Sequence, residues 1–329
     1  MADRLKNIAI VGASGQVGGS TLKHLLDSPR GFKVTVVTRT ESEATFPSHP
    51  ALTVKKGSYT DTSFLEDAFS GQDAVVFAVH FFAQNAQEGM FEAAAKAGVR
   101  WIVPNEYAGD TLNAAMVDLS PAFQPKRTAR KQIEGLSKTY EGLKWIGVAT
   151  NPFLEPFLVK MSKVFGIDTE AHTATIYPDA GKFNTSNLDR IGLSIASLLN
   201  LPISDSSNPR ASLQHYANHF LYVSSYCVTQ TDLLYAVQKA KGEADADWKV
   251  DSEKTVKGFI ENCQAQVRQG NMQAGFGLTV AAYVGEGRGG NYEDKAQEDS
   301  KALGLPEETE SFLDAVKRAL GQSSALHKP

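Results

Sequence analysis

The chain has 329 residues, room for one large domain or two unequal ones, and its 42% apolar content suits a protein that buries a sizeable core. A net charge of −4 carries no sign of a nucleic-acid surface, and no apolar run reaches membrane-spanning length. The two cysteines, Cys227 and Cys263, lie far apart without ligand-like spacing and read as buried free thiols in a reducing compartment. The opening MADRLKN leads straight into apolar residues and leaves no room for a signal peptide. A cytoplasmic protein is expected, with neither membrane nor nucleic acid among its partners.

Residues 8–11 are all apolar and of strand length, which suits a central strand covered on both faces. Gly12, Gly15 and Gly18 follow at three-residue spacing, and Val17, Leu22, Leu25 and Leu26 then recur as in a helix. Strand, glycine turn and helix in this order form a dinucleotide site. Glycine permits the tight turn and a close approach of backbone to phosphate, and the free amides at the helix start face the anion. Gly12, Ser14, Gly15, Gln16, Val17 and Gly18 are the expected cofactor contacts; an ordinary strand–helix turn is the alternative. The Gly-x-x-Gly-x-x-Gly spacing resembles that of short-chain and extended dehydrogenases.

The first helix stops near Asp27, before Ser28-Pro29-Arg30-Gly31, and residues 32–38 form a second strand. NAD sites place a carboxylate after this strand for the ribose hydroxyls, whereas NADP sites place a cation there. Thr38 is followed here by Arg39, whose planar guanidinium suits a 2′-phosphate. Glu41 is the competing candidate, and a solvated loop arginine is the bland reading. Residues 52–55 form a third strand, and Ser63 with Glu66 reads as a capping box for the next helix. Residues 74–79 form the fourth strand, with His80, Phe81 and Phe82 at its carboxyl end, where open parallel sheets bind ligands. A helix over 84–97 ends at Gly98, and residues 100–103 form the fifth strand, followed by Asn105-Glu106-Tyr107. A helix from Pro125 to about Lys138 and a sixth strand over 144–150, closed by Asn151-Pro152-Phe153, complete the alternation. Six strands alternating with helices predict a doubly wound, Rossmann-like parallel sheet.

Beyond Phe153 the pattern loosens into a smaller C-terminal α+β part. Phe153, Phe157, Met161 and Phe165 fall on one helical stripe, read as core packing or as an aromatic pocket wall. Residues 174–178 suggest a strand, Ser186 caps a helix, and 201–217 read as a long loop. Residues 220–228 suggest a strand, followed by helices from Thr231, over 252–269 and after Pro306. The glycine-rich 285–290 reads as a mobile loop. The expected division is 1–152 and 153–329, with about 185–200 and 218–240 returning to the first unit.

Tyr140 and Lys144 match the Tyr-x-x-x-Lys spacing of short-chain dehydrogenases, but Gly142 intervenes and Lys144 opens a strand, so they cannot meet as they would on a helix. Lys126 is placed differently. On a helix starting at Pro125 it shares a line with Ile133, so it points toward the sheet, while Arg127, Lys131 and Glu134 point away. Burial, the helix N-terminus and the cations Arg127 and Arg130 should all lower its pKa, as an acid–base lysine requires. A snorkelling lysine is the alternative. His215 and His219 lack a third ligand, and no metal is expected. Cys227 reads as a core residue.

These motifs resemble the NmrA-like, isoflavone-reductase-like branch of atypical short-chain dehydrogenases, in particular its fungal members. The resemblance rests on VGASGQVGG, on Arg39, on VPNEYAGD where relatives carry Pro-Ser-Glu-Phe-Gly, and most specifically on Phe123-Gln-Pro-Lys126 running into Arg130-Lys131-Gln132-Ile133-Glu134. It implies NADPH as cofactor, with Lys126, the lysine three after the phenylalanine, as the catalytic residue. It also implies hydride transfer to an aromatic or conjugated small molecule such as an enone, a quinone methide or a benzylic ether. Thr38, Arg39, His80, Phe81, Lys126, Asn151 and Phe153 join the glycine turn as expected cofactor contacts. Phe82, Glu106, Tyr107, Phe153 and Phe157 are the expected substrate-pocket residues, in a monomer or homodimer. An NADP-sensing regulator without catalysis is the alternative function.

Overall fold

A computed structural model describes residues 3–80, 87–156 and 161–325, the last four as backbone only. Six strands, β1 (Asn7–Val11), β2 (Lys33–Arg39), β3 (Leu52–Gly57), β4 (Ala74–Phe77), β5 (Trp101–Val103) and β6 (Lys144–Ala149), join a further strand, His219–Tyr222, in one sheet. Its order is His219–Tyr222, β6, β5, β4, β1, β2, β3, and every neighbouring pair is parallel. The chain winds outward from β1 in one direction and from β4 in the other, so the carboxyl ends of β1 and β4 flank the crevice where such sheets take a ligand.

The period-two geometry of β1 feeds two cores. Ile8 and Ile10 pack with Val17, Leu22 and Leu25 of helix α1 (Gln16–Leu26) and with Ile191, Ile195 and Leu198 of the helix Leu188–Asn200. Ala9 and Val11 face the other side, with Leu65 and Phe69 of α2 (Thr62–Phe69), Met90 and Phe91 of α3 (Gln87–Lys96) and Ile133 of α5 (Gln124–Leu136). A third cluster joins Met116 and Val117 of α4 (Ala114–Leu119) and Phe123 to Phe165, Phe183, Leu233, Ile260, Tyr283 and Val316. No helix among the described residues is long and apolar enough to cross a membrane.

Several local expectations need correcting. The cap of α2 is Asp61, which accepts from the Phe64 amide at 3.1 Å, while Ser63 donates its hydroxyl to Asp61. Asn187, not Ser186, precedes the helix Leu188–Asn200; the Ser186 hydroxyl instead sits between the Thr150 and Val223 carbonyls, at 2.9 and 3.0 Å. The segment 220–228 is two strands. His219–Tyr222 joins the main sheet, and Tyr226–Val228 pairs antiparallel with Phe183–Thr185. The stretch 201–217 carries a helical turn, Leu213–Tyr216, that buries Leu213 and Tyr216. The aromatic stripe is not one helix: residues 161–166 form turns, and Phe157 lies outside the described residues. The glycine-rich loop is packed, since a Cβ on Gly290 would lie 1.7 Å from the Tyr283 carbonyl oxygen.

The helix Glu293–Ala302 covers the outer edge of the strand His219–Tyr222. Asp299 accepts from the Tyr222 amide at 2.8 Å and from the Tyr216 hydroxyl at 3.1 Å, which satisfies an edge donor that would otherwise be open to another strand. Burial pushes the Asp299 carboxyl up to about 6.

Helices α1 and Leu188–Asn200 meet at a glycine. A Cβ on Gly192 would lie 2.2 Å from the Ser20 hydroxyl oxygen and 2.5 Å from the Ser20 carbonyl carbon. Helix propensity alone favours alanine there, but backbone cannot yield as a side chain can. Gly192→Ala is therefore expected to destabilise the fold by about 1–3 kcal/mol, read as a Tm several degrees lower; an unchanged Tm would show that the contact relaxes without cost.

Candidate active site

Most of the described residues expected to act together lie at the carboxyl ends of the parallel strands, and Lys126 comes from α5. At the β1 exit, Gly12 has φ +89°, and a Cβ there would stand 2.3 Å from the Ala78 carbonyl oxygen. A Cβ on Gly18 would stand 2.3 Å from the Gly12 carbonyl oxygen. The turn is thus pressed against the β4 exit on one side and its own helix on the other, and neither position admits a side chain. Ser14, Gly15 and Gln16 are exposed at the rim, while Val17 is buried in the core. The Gly15 amide turns back to the Gly12 carbonyl at 3.0 Å, and α1 starts with no acidic residue in its first turn. A helix start of this kind, its positive end opening at a turn kept clear of side chains, is built for an anionic group. The cradle therefore fits a dinucleotide pyrophosphate.

At the β2 exit Thr38 is buried and Arg39 is 63% exposed by its side chain, with its Nε 3.5 Å from Glu41 Oε1. The two candidates for the ribose end face each other across the loop. His80 lies exposed three residues beyond the end of β4. Phe81, Phe82 and Phe157 lie outside the described residues.

At the β5 exit, Lys126 reaches in from α5 and is 7% exposed. Its Nζ donates to the Asn105 carbonyl at 2.7 Å. The inward face of α5 consists of Lys126, Ala129, Arg130 and Ile133, as the helical phase predicts for Lys126 and Ile133. Burial pushes the Lys126 ammonium down to about 8, and the nearby Glu106 carboxylate opposes that shift. Arg130, expected to repel Lys126 as a neighbouring cation, is engaged elsewhere. Its guanidinium donates to the Thr111 carbonyl at 3.0 Å and to the Thr111 hydroxyl, and lies 3.4 Å from Glu106. Glu106 is 1% exposed, and burial raises its pKa against the pull of Lys126 and Arg130. Tyr107 is buried, and its hydroxyl has no partner among the described residues; burial raises its pKa too.

At the β6 exit Asn151 takes a left-handed φ of +51°, a conformation asparagine tolerates better than most residues. The Thr150 and Asn151 amides both donate to the Ala108 carbonyl, at 2.8 and 2.9 Å, and the Asn151 side chain donates to the Gly290 carbonyl at 2.6 Å. Its Oδ1 is buried without a partner among the described residues. Next to it a small apolar crevice, with a cavity volume of only about 20 Å3, is lined by Phe153, Leu154, Phe165, Phe183 and Phe312 among others, with Thr185 as its one polar described residue. Phe153 and Phe165 do share a wall, brought together by the fold rather than by helical register.

Sequence reasoning missed Arg130, Thr111 and the Gly290 carbonyl as parts of this site. The four-residue spacing of Lys126 and Arg130 was the available signal, since it places both on one helical face. Tyr140 and Lys144 are separated by a turn at Gly142, φ +85°, and Lys144 opens β6. Cys227 is only half-buried, on a short strand away from the central sheet, with its Sγ 3.7 Å from Asn291 Oδ1, which corrects its expected place in a core.

Comparison with known proteins agrees with this architecture. Residues 4–180 match the NmrA-like family. The oxidoreductase aprR of Aspergillus flavus is 29% identical over 302 residues, covering 91% of this chain and 94% of its own. The oxidoreductase poxI of Penicillium oxalicum is 28% identical over 264 residues, covering 78% of this chain and 76% of its own. Among solved structures, a chain from work on pinoresinol-lariciresinol and phenylcoumaran benzylic ether reductases superposes with a TM-score of 0.72 at 18% identity, covering 95% of this chain and 99% of that one. The triphenylmethane reductase of Citrobacter sp., complexed with NADP(H), superposes with a TM-score of 0.64 at 17% identity, covering 95% of this chain and 100% of that one. The family match spans more than half of the sequence and takes in the glycine turn, Arg39, Lys126 and Asn151: the chain belongs to the NmrA-like family.

Proposed function

We propose that this protein is an NADPH-dependent reductase of aromatic or conjugated small molecules, with Lys126 as its general acid–base. The observation that carries the reading is Lys126 itself: a lysine buried at the carboxyl edge of a parallel sheet, held by a backbone carbonyl at 2.7 Å and pushed down to about 8. Such a lysine is poorly placed for stability and well placed to exchange a proton near neutral pH. The oxidoreductase names of the two fungal relatives and the NADP(H)-bound reductase of the same fold point the same way.

Gly12, Gly15 and Gly18 with the first turn of α1, Ser14, Gln16 and Val17 included, would hold the pyrophosphate, and Thr38 and Arg39 the ribose 2′-phosphate. His80, Phe81, Asn151 and Phe153 would border the nicotinamide; the Oδ1 of Asn151 has no partner among the described residues. NADPH, when bound, supplies a hydride. Lys126 supplies the balancing proton to the phenol or carbonyl oxygen on which charge builds as the substrate is reduced. The Asn105 carbonyl accepts from the ammonium at 2.7 Å and so fixes its position. The apolar lining by Phe153, Phe165, Phe183 and Phe312 supports an apolar, aromatic substrate.

Lys126→Ala is expected to lower kcat/KM by about 100-fold or more while the Kd for NADPH, read by fluorescence, stays within about threefold. The substrate panel is quinones, enones and benzylic ethers. No NADPH oxidation with any of them, together with equal affinity for NADP+ and NADPH, would identify a redox-sensing regulator instead. In the direction of reduction the active form of Lys126 is protonated, so kcat/KM should be level below a pH of about 8 and fall above it. In the direction of oxidation the neutral amine is the active form and the dependence inverts. Arg39→Ala is expected to raise the Kd for NADPH about tenfold or more and to leave NADH binding little changed; equal losses for both cofactors would remove Arg39 from the phosphate site.

A further inference from the structure

Lys126 and Arg130 stand one turn apart on the buried face of α5, 7% and 6% exposed. Two like charges at this spacing repel, and burial strips both of water. Of the two buried carboxylates on the β5 exit loop, Asp110 accepts from the Tyr222 hydroxyl and Glu106 is set against the pair. Glu106 Oε1 lies 3.4 Å from Arg130 Nη1, and Oε2 accepts from the Thr111 hydroxyl at 3.0 Å. Arg130 is locked further by the Thr111 carbonyl and by the Trp145 and Phe220 rings, 5.7 and 5.9 Å from its guanidinium carbon. Lys126 has a neutral acceptor instead, the carbonyl of Asn105, the residue before Glu106. The ammonium and the carboxylate are thus tied to one short loop without a direct ion pair, and the carboxylate acts on Lys126 through space.

Two further carboxylates lie near this interior: Glu134 of α5, half-exposed, with Oε1 3.8 Å from Arg130 Nε, and Asp110 of the loop, which accepts from the Tyr222 hydroxyl at 3.0 Å. Asp118 of α4 pairs with Arg127 at 2.9 Å on the outer side. Glu88, Glu92 and Lys96 of α3 are exposed, Lys131 lies on the outer face of α5 itself, and Lys144 stands at the start of β6. His80 is exposed beyond β4.

We infer that Glu106 is the positioning residue of Lys126: the buried counter-charge that holds the ammonium form, with Arg130 setting how much of that charge Lys126 feels. This takes Glu106 out of the wall of the substrate pocket and makes it part of the proton donor's support. Its bearing on turnover rests on the acid–base role proposed above for Lys126.

The test uses the full-length protein carrying 13C-labelled lysine. The Lys126 Cε signal, assigned by its absence from Lys126→Arg, is followed from about pH 6 to 11 by NMR, beside the pH profile of kcat/KM. Glu106→Gln should move the Lys126 midpoint to lower pH by about half a pH unit or more, and Glu106→Asp should return it toward the parent value. Arg130→Gln should move it to higher pH. Midpoints that stay put in both variants, whatever happens to kcat or Tm, would reduce Glu106 to a structural role and overturn the inference. If Glu106→Gln does not fold, Arg130→Gln decides alone, and a midpoint that stays or falls there is fatal. A midpoint that moves in the NMR titration while the kcat/KM profile does not would keep the charge coupling and remove Lys126 from the acid–base step.

Discussion

Between helix α5 and the loop that leaves β5, the buried carboxylate of Glu106 faces two buried cations, Lys126 and Arg130. Taking any one of these charges out of solvent costs several kcal/mol even after relaxation, and a pair recovers that only when its geometry and hydrogen bonds are good. Arg130 has such geometry. It is met by Glu106, by the Thr111 hydroxyl and carbonyl, and by two aromatic faces. Lys126 has a carbonyl and a share of the field of Glu106. The asymmetry is what the acid–base role proposed for Lys126 requires. One cation has several partners; the other has fewer, and burial lowers its pKa.

The same loop is the hub of the structure around the site. Its start is held by Lys126 and by the Gln87 side chain of α3, which accepts from the Asn105 amide at 3.2 Å. Its middle carries the Ala108 carbonyl, which fixes the β6 exit through the Thr150 and Asn151 amides. Asp110 receives the Tyr222 hydroxyl at 3.0 Å, with Lys295 3.7 Å away. The seven residues 105–111 therefore link α3, α5, the β6 exit, the edge strand and the helix Glu293–Ala302 that covers it. Any strain at Asn151 is absorbed by this network: the left-handed residue is held by its own amide and by the Gly290 carbonyl.

Much of the nucleotide-binding half was legible because its constraints are local in sequence. The glycine at position 12 and the one at 18 are separated by half a dozen residues, and each is required by a contact within that span or with the next strand but two. The inward phase of Lys126 follows from a single helix. What was not legible had weak or misleading local signals. The helix Ala274–Val284 is apolar nearly all round, buried without a break from Gly277 to Val284, so it shows no amphipathic period. The helix Glu293–Ala302 is polar nearly all round, and it is held by Asp299 and Ala296 rather than by a stripe. Asp61 outcompeted Ser63 as a cap because it lies at the turn itself, with its carboxylate in reach of the Phe64 amide. Arg130 was misjudged because a cation's neighbours on its own helix are visible in the sequence, whereas a carboxylate on a loop 24 residues earlier is not.

The apolar crevice shows the limit of local reading most clearly. This crevice beside Phe153 takes its lining from segments near 153, 165, 183, 230 and 312, which meet only in the folded chain. Helical spacing did group Phe153 with Phe165, and both line the pocket, yet the helix that the spacing implied does not run between them. Aromatic side chains distributed in this way can change size or position one at a time without disturbing a strand or a turn, because each is supplied by a different element. The cradle at Gly12 has no such freedom, since a carbonyl stands 2.3 Å from where its Cβ would be. Backbone contact at the glycine turn and separately carried side chains at the apolar crevice thus place different limits on sequence change, and chains at identities below one in five share this fold.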